Sequence, residues 1–437
     1  MQKNNAGQFT KNSINTVATQ FITLAASVLT SIVTARVLGP EGKGQLTLIL
    51  LVPMLSMTFG RMGIGHAVNY YASKTSATKL IVNSFILSLV ISLFLVAVTL
   101  PIANSLKNIF FKEIDTSLII IITCFVPFYI LNNHFISLLQ GLYKIKIRNL
   151  LLVTQSVVNF ILLILLTGVL FLNLESALAA SIAALILVVI LSAIYLLKDL
   201  KTEEIRLDFN LMKQLLNFGF KSHIGNILKD LSYRSDILII SYFLSARDVG
   251  YYAIAVTIAE VLWKIPDAVG TVLLPRVAQM NSSSARLFTP VVSRIVFIPV
   301  LLACLLILLL SRPIIIFAFG KDFIPAIPVL IILLPGILAF AIWKIIANDL
   351  LAQGHPVKYS FTSGVALVTM ILLDLLLIPK FGINGAAIAS TLSYIAATVS
   401  IIYIYTRLTD NSLKVLIVPE RSDFLLYKKI AKGVINV

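Results

Sequence analysis

Charge is scarce in this chain. Only 12% of its 437 residues are charged, and its mean hydropathy is +0.98. Soluble domains carry about a quarter charged residues, so so few charges cannot clothe a large water-exposed surface, and a soluble globular core is excluded. Cysteine is nearly absent too. Cys124 and Cys304 both fall inside apolar runs, where they read as small buried hydrophobes and supply neither a disulfide framework nor a metal spacing. The four histidines, His66, His134, His223 and His355, show no metal spacing, so no metal is expected. There is no Gly-x-x-x-x-Gly-Lys-Ser/Thr loop, which removes an ATPase; Gly39-Pro40-Glu41-Gly42-Lys43-Gly44 is only a short link between apolar runs. No polar stretch is long enough for a catalytic domain, so an enzyme is not expected. Residues 1–13 contain no apolar core or cleavage site, so no removable signal is expected.

What the chain has in quantity is apolar runs of about twenty residues, the length that crosses a hydrocarbon core about 30 Å thick. Twelve spans are predicted: 14–38, 45–67, 80–102, 118–139, 150–172, 178–197, 215–244, 250–274, 295–310, 326–351, 359–378 and 383–405. Lipid-exposed backbone must satisfy its hydrogen bonds internally, which makes every span a helix. An outer-membrane barrel would show shorter segments of alternating polarity and is excluded. The fold class is therefore an all-α membrane protein.

The net charge of +16 would suggest nucleic acid on a soluble protein. Here it reads as the cytoplasmic excess of Lys and Arg, or as cations placed for an anionic substrate, with no nucleic-acid partner. With both termini placed in the cytoplasm, 21 Lys and Arg fall on that side, 8 on the other and six inside spans. That asymmetry supports the orientation, in a multi-pass protein of a bacterial-type inner membrane.

The charged stretch 198–213 divides the chain into a first six-helix bundle, 1–197, and a second, 214–406, followed by a basic cytoplasmic tail, 407–437, whose Lys428 and Lys429 suit anionic membrane lipids or a partner enzyme. The two bundles read as repeats. Leu38-Gly39-Pro40-Glu41-Gly42-Lys43-Gly44 joins spans one and two, as Leu244-Ser245-Ala246-Arg247-Asp248-Val249-Gly250 joins seven and eight. Gln140-Gly141 closes span four and Gln353-Gly354 closes ten; Ser176-Ala177-Leu178-Ala179-Ala180-Ser181 opens span six and Gly385-Ala386-Ala387-Ile388-Ala389-Ser390 opens twelve. Transporters built from such repeats bind substrate near mid-membrane at the repeat interface.

Polar residues recur at helical spacing on the first two spans of each half. Span one carries Asn12, Thr16, Thr19, Thr23, Ser27, Thr30 and Thr34; span seven carries Ser222, Asn226, Lys229, Tyr233 and Asp236; span eight carries Thr257, Glu260, Lys264, Asp267 and Thr271. The hydroxyls either line water or bond their own helix. Charges are harder to explain away, since each costs roughly 2.5–3.5 kcal/mol at a helix centre. Six cations lie inside spans: Arg61, Lys221, Lys229, Arg234, Lys264 and Lys344. Lys221 is near enough to the cytoplasmic end to snorkel. The other five, Arg61, Lys229, Arg234, Lys264 and Lys344, are the candidate cavity cations for substrate. Asp230 stands four residues before Arg234, and Lys264 lies between Glu260 and Asp267, so pairing within a helix is a competing role. Asp236, Glu260, Asp267, Asp349 and Asp374 are candidates for coupling to H+ or Na+, or for packing hydrogen bonds; no other cofactor is expected. Pro53 with Gly60, Gly63 and Gly65 around Arg61, and Pro127, Pro266, Pro299 and Pro335 elsewhere, mark kinks or hinges.

The run Ala35-Arg36-Val37-Leu38-Gly39-Pro40-Glu41-Gly42-Lys43-Gly44, together with Tyr233-Arg234-Ser235-Asp236-Ile237-Leu238-Ile239-Ile240 and Val249-Gly250-Tyr251-Tyr252, resembles the polysaccharide-transport (O-antigen and oligosaccharide flippase) family of the MOP exporter superfamily. The resemblance covers about residues 8–406. It implies a V-shaped, MATE/MOP-like pair of six-helix bundles and a lipid-linked oligosaccharide substrate carried on undecaprenyl pyrophosphate, moved outward for surface polysaccharide biosynthesis. It also implies that Arg61, Arg234 and Lys264 engage the pyrophosphate, and that polymerase or assembly proteins are partners. Twelve spans suit the polysaccharide branch, since lipid II flippases of the superfamily add two helices. Two other readings stand beside it: a multidrug or cation antiporter of the same fold, which should favour acidic cavity residues, and a membrane polymerase or ligase of surface sugars.

Overall fold

The computed structural model describes residues 2–170, 174–409, 411, 413–417 and 420, and leaves the side chains of residues 2–14, 168–170, 221, 222, 275, 282, 413 and 417 undescribed. Asn12, Lys221, Ser222 and the Lys428–Lys429 pair therefore lie outside the described side chains. Every regular element among the described residues is helical. The long elements are α1 (Gln2–Gly60), α2 (Ile64–Tyr71), α3 (Ala77–Thr99), α4 (Ala103–Phe110), α5 (Thr116–Cys124), α6 (Val126–Gly141), α7 (Ile145–Leu170) and α8 (Leu174–Leu197). After the polar linker come α9 (Phe209–Ser232), α10 (Ser235–Phe243), α11 (Ala246–Val277), α12 (Ser282–Ile314), α13 (Ala326–Ala352), α14 (Pro356–Thr409) and the short α15 (Leu413–Ile417).

Among the described residues eight helices are long and apolar enough to cross a bilayer, against twelve spans predicted. Part of the difference is geometric. In α1, Lys43 Nζ donates to Ser31 Oγ at 3.1 Å and to Thr34 Oγ1 at 3.0 Å. A continuous helix would separate residues 31 and 43 by about 18 Å along its axis, so the chain folds back between them. The reversal is at Gly39, whose φ of 66° and ψ of −176° belong to a region open essentially to glycine alone. The sequence alone does not show why Lys43 should be inside; its ammonium holds the two arms of this hairpin together. α14 folds back in the same way at Gly382 (φ 58°, ψ −141°), bringing Ser393 Oγ to the Ala366 carbonyl at 2.6 Å. α9 and α11, which fall on predicted spans, are not among the eight; they carry Lys229, Asp230, Glu260, Lys264 and Asp267.

The hydroxyl stripe of span one mostly serves its own helix. Thr19 donates to the Asn15 carbonyl, Thr23 to Thr19, Ser27 to Leu24 and Thr34 to Thr30. Cys304 is buried as expected; Cys124 is exposed, a correction to its reading as a core residue, because α5 ends there and turns it outward.

The chain forms two compact units, one of residues 1–254 with 316–323 and the other of residues 255–315 with 324–437; they part inside α11. The first unit is cored by Ile64, Val68, Leu80, Leu138, Leu139, Val188 and their neighbours, from α2, α3, α6, α8 and α9. Its polar linker is tied down. Fully buried Asn83 of α3 donates to the Arg206 carbonyl at 3.1 Å and accepts from the Asp208 amide at 2.7 Å, while Thr78 accepts from the Lys201 amide at 3.0 Å. The second unit is cored by an aromatic stack in which Phe340 lies 4.6 Å from Trp343, 4.8 Å from Tyr394 and 5.6 Å from Trp263, centroid to centroid.

Candidate functional site

In the first unit the site is made by two interrupted helices. α1 ends at Gly60 and α2 begins at Ile64; between them Met62 (φ 44°) and Gly63 (φ 66°) take left-handed conformations. Arg61 occupies this break, its amide still bonded to the Met57 carbonyl at 3.0 Å and its own carbonyl accepting from Ile64 at 2.8 Å. A Cβ at Gly63 would run into the Gly219 carbonyl of α9, so the two backbones touch only because both residues are glycine. Two further ties hold α9 there: His223 Nε2 lies 2.8 Å from the Thr58 carbonyl, and Phe218 stacks on Tyr70 with centroids 4.6 Å apart. α9 then stops at Ser232 with Lys229 in its last turn, where unpaired carbonyls favour a cation. Arg234 sits in the second break, with φ −134° and ψ −11°, at the start of α10. Interrupted helices inside a membrane protein are tolerated where they line water or protein, and such places are where transporters hold ligands.

Asp230 brings the charges together. Its Oδ2 is 3.7 Å from Arg61 Nη1 and its Oδ1 is 3.7 Å from Lys229 Nζ. The sequence left pairing with Arg234, four residues on, as a competing role; the helix break at Tyr233 and Arg234 interrupts that i,i+4 geometry, and the carboxylate faces Arg61 and Lys229. Both separations exceed the roughly 2.7–3.2 Å of a hydrogen bond, so Asp230 is a counter-charge that locks neither cation. The guanidinium of Arg61 hydrogen-bonds no described residue, and its Nε is buried without an acceptor. The three side chains are 37%, 29% and 24% exposed for Arg61, Lys229 and Asp230, enough for a ligand to reach them. Asp236 is placed differently: it is buried, and accepts from Tyr252 Oη at 2.6 Å.

The second unit holds the remaining candidates. Lys344 is buried and donates to Asp267 Oδ1 at 2.7 Å, with its ammonium 4.9 Å from the Trp263 ring centroid. Lys264 is exposed and Glu260 half-buried, both on α11. Asp349 is fully buried, accepting from Thr289 Oγ1 and Gln353 Nε2, each at 2.6 Å, and Asp374 is fully buried on α14. The structure thus gathers Arg61 and Lys229 in one place and Lys344 and Asp267 in another. Among the described residues, no group of three or more His, Cys, Asp or Glu is arranged to hold a metal.

A model of the family described as "Polysaccharide biosynthesis protein" matches residues 9–281, more than half of the chain. The chain belongs to that family. It is an integral membrane protein, and the family match agrees with the resemblance carried by its link motif. It is 25% identical to a putative O-antigen transporter of Shigella flexneri over 394 residues, 86% of this chain and 92% of that one. It is 29% identical to a probable low-salt glycan biosynthesis flippase of Haloferax volcanii over 200 residues, 44% of this chain and 41% of that one. These relatives are named as a transporter and a flippase, not as enzymes. Among solved structures, the lipid II flippase MurJ in an inward closed conformation matches with a TM-score of 0.73 at 16% identity, covering 96% of each chain. An inward-facing multidrug resistance MATE transporter of the same superfamily also matches at 0.73, with 15% identity, 91% of this chain and 98% of that one. Both likenesses establish the fold.

For this family member, sequence reasoning found the cations and missed what organises them. Asp230 was visible only as a partner of its own helix. The Gly63–Gly219 contact left one trace, the cluster of Gly60, Gly63 and Gly65 around Arg61, which read as a hinge and proves to be a helix break docked on α9.

Proposed function

We propose that the protein flips a pyrophosphate-linked, polyprenyl-bound oligosaccharide from the cytoplasmic to the outer leaflet of a bacterial-type inner membrane, for surface polysaccharide biosynthesis. The observation that carries this reading is the Arg61–Asp230–Lys229 cluster: two cations at separate helix breaks that share one carboxylate at 3.7 Å, with the Arg61 guanidinium hydrogen-bonding no described residue. A pyrophosphate offers several charged acceptor oxygens, and a guanidinium meets such groups with paired N–H donors. Low local dielectric makes that attraction far stronger than in water. The family and the names of its relatives support transport of a glycan precursor.

In this reading the chain crosses twelve times, because α1 and α14 each cross twice and the charged segments α9–α10 and α11 cross as well. The halves 1–197 and 214–406 are the repeats, 198–213 is a cytoplasmic linker, and both termini are cytoplasmic. Arg234, Lys264 and Lys344 add positive charge along the substrate's path. Asp236, Glu260, Asp267, Asp349 and Asp374 remain the candidates for proton or sodium coupling, and polymerase or assembly proteins remain candidate partners. The net excess of cations on spans two, seven and eight weighs against a transporter of cationic drugs. Replacing Arg61 and Arg234 together with Ala should leave the protein in the membrane and strand the lipid-linked sugar in the inner leaflet. Normal surface polymer in that double variant would falsify the role.

A further inference from the structure

The Arg61–Asp230–Lys229 cluster has a feature that a simple cationic grip does not need: a resident acid. We infer that Asp230 is a built-in counter-ion that occupies the cations while the site is empty and is displaced by the diphosphate of an arriving substrate. The inference rests on the flippase reading and adds a regulated exchange at the same site.

Three observations point this way. First, the carboxylate is shared, with one oxygen 3.7 Å from Arg61 and the other 3.7 Å from Lys229, so it neutralises both without a hydrogen bond to either. The contrast is within the same protein, where Lys344 and Asp267 close to 2.7 Å. A pair meant only for structure gains from a tight geometry, because the attraction must offset the desolvation of both ions. Second, neither Arg61 nor Asp230 is committed elsewhere: among the described residues the guanidinium donates to no acceptor and the carboxylate accepts from no donor. Third, Asp230 sits at the last turn of α9, and Arg61 sits at the break after α1. Each charge is therefore carried by a helix end, where small backbone adjustments move a side chain without unwinding a packed helix.

The exchange conserves charge logic at each stage. With the site empty, the shared carboxylate offsets part of the positive charge, which lowers the cost of holding it at membrane depth. When a diphosphate enters, its oxygens replace the carboxylate on both cations, and like-charge repulsion turns Asp230 away. After translocation the carboxylate competes for the same cations and promotes release. Asp230 is thus a positioning residue that limits affinity in favour of turnover.

The test uses the purified full chain in detergent or nanodiscs, with inorganic pyrophosphate as probe and calorimetry as readout. Asp230→Asn removes the competitor and should tighten pyrophosphate binding tenfold or more. Asp230→Glu, which keeps the charge, should bind within about threefold of wild type, a rescue that loss of a merely structural contact would not predict. Should Asp230→Asn fail to yield folded protein, Asp230→Ser carries the same expectation. In reconstituted vesicles Asp230→Asn should show lower KM together with lower kcat for a pyrophosphate-linked polyprenyl sugar. Unchanged or weaker pyrophosphate binding in Asp230→Asn and Asp230→Ser, beside wild-type binding that Arg61→Gln abolishes, overturns the counter-ion role and leaves the flippase reading standing. Wild-type protein that binds no pyrophosphate overturns both.

Discussion

Glu41 and Arg247 face each other with Oε2 and Nη2 3.9 Å apart, and they are counterparts: each is the fourth residue of its link, in 38–44 and 244–250. The same correspondence governs the backbone. A Cβ on Gly44 would strike the Ala246 carbonyl, and a Cβ on Gly250 would strike the Pro40 carbonyl, while Pro40 and Ala246 are themselves counterparts. Contacts in which i meets j and j meets i are the signature of a two-fold relation. Here it relates two segments of one chain, both inside the first compact unit. The two links were recognisable in the sequence as a repeat; that they touch each other is new.

The crossing predicts a sharp asymmetry between its residues. Gly44→Ala or Gly250→Ala meets main chain, which no rotamer change relieves, and overpacking of this kind costs about 1–3 kcal/mol. Exchanging the charges, Glu41→Arg with Arg247→Glu, should change stability by no more than about 0.5 kcal/mol, since the pair is 56% and 61% exposed. Thermal unfolding in one detergent checks both. Equal losses in the glycine variants and the charge exchange would show that the backbone contact is not what holds the links together.

The pattern of what was legible follows from which forces are local. Apolar runs and the link motif are written in adjacent residues, so the all-helical membrane class and the family were legible. Hairpin closure at Gly39 and Gly382 was legible only as the gap between two spans, since an aqueous loop and a two-residue reversal leave similar gaps. The pairing of Asp230 was not legible, because it depends on a helix break at Tyr233 and Arg234 and on a second helix arriving from residues 58–63. Asp236 looked like a coupling acid at helical spacing; its bond to Tyr252 joins residues of different helices, and the spacing carries no trace of it.

That bond makes a second prediction. Tyr252 is fully buried and its hydroxyl is 2.6 Å from the Asp236 carboxylate, so Tyr252→Phe deprives a buried acid of a donor. Leaving a buried polar group short of a partner costs about 1–3 kcal/mol. The variant should unfold at lower temperature, and adding Asp236→Leu should recover part of the loss, since removing both partners is cheaper than removing one. A double variant less stable than wild type by the full sum of the two single effects would show that the two side chains act independently.

The linker offers a third. Asn83 bonds both the Arg206 carbonyl and the Asp208 amide, so Asn83→Ala frees two main-chain groups that now have buried partners. Local opening of the segment governs cleavage by a protease. Trypsin should cut at Lys201 and Arg206 several times faster in Asn83→Ala than in wild type, with cleavage elsewhere unchanged. Equal rates at these two sites would mean that the Thr78 contacts suffice to hold the linker.

The Lys344–Asp267 pair tests how charge is accommodated in the second unit. Lys344 has a 10% exposed side chain and Asp267 a 44% exposed one, so the lysine bears most of the desolvation. Removing one member of a fully buried pair costs about 3–5 kcal/mol, and an exposed pair contributes about 0–1. Asp267→Asn should fall between these limits, near 2 kcal/mol, because the ammonium loses its 2.7 Å carboxylate while the Trp263 face stays 4.9 Å away. Lys344→Met in the same background should restore most of the stability, since an apolar chain of similar length fills the space beside Trp263 without a charge to satisfy. Transport separates structure from function here. If Lys344 contributes charge to the substrate path, the restored double variant will be stable and slow; if the pair serves packing alone, it will be stable and transport at the wild-type rate.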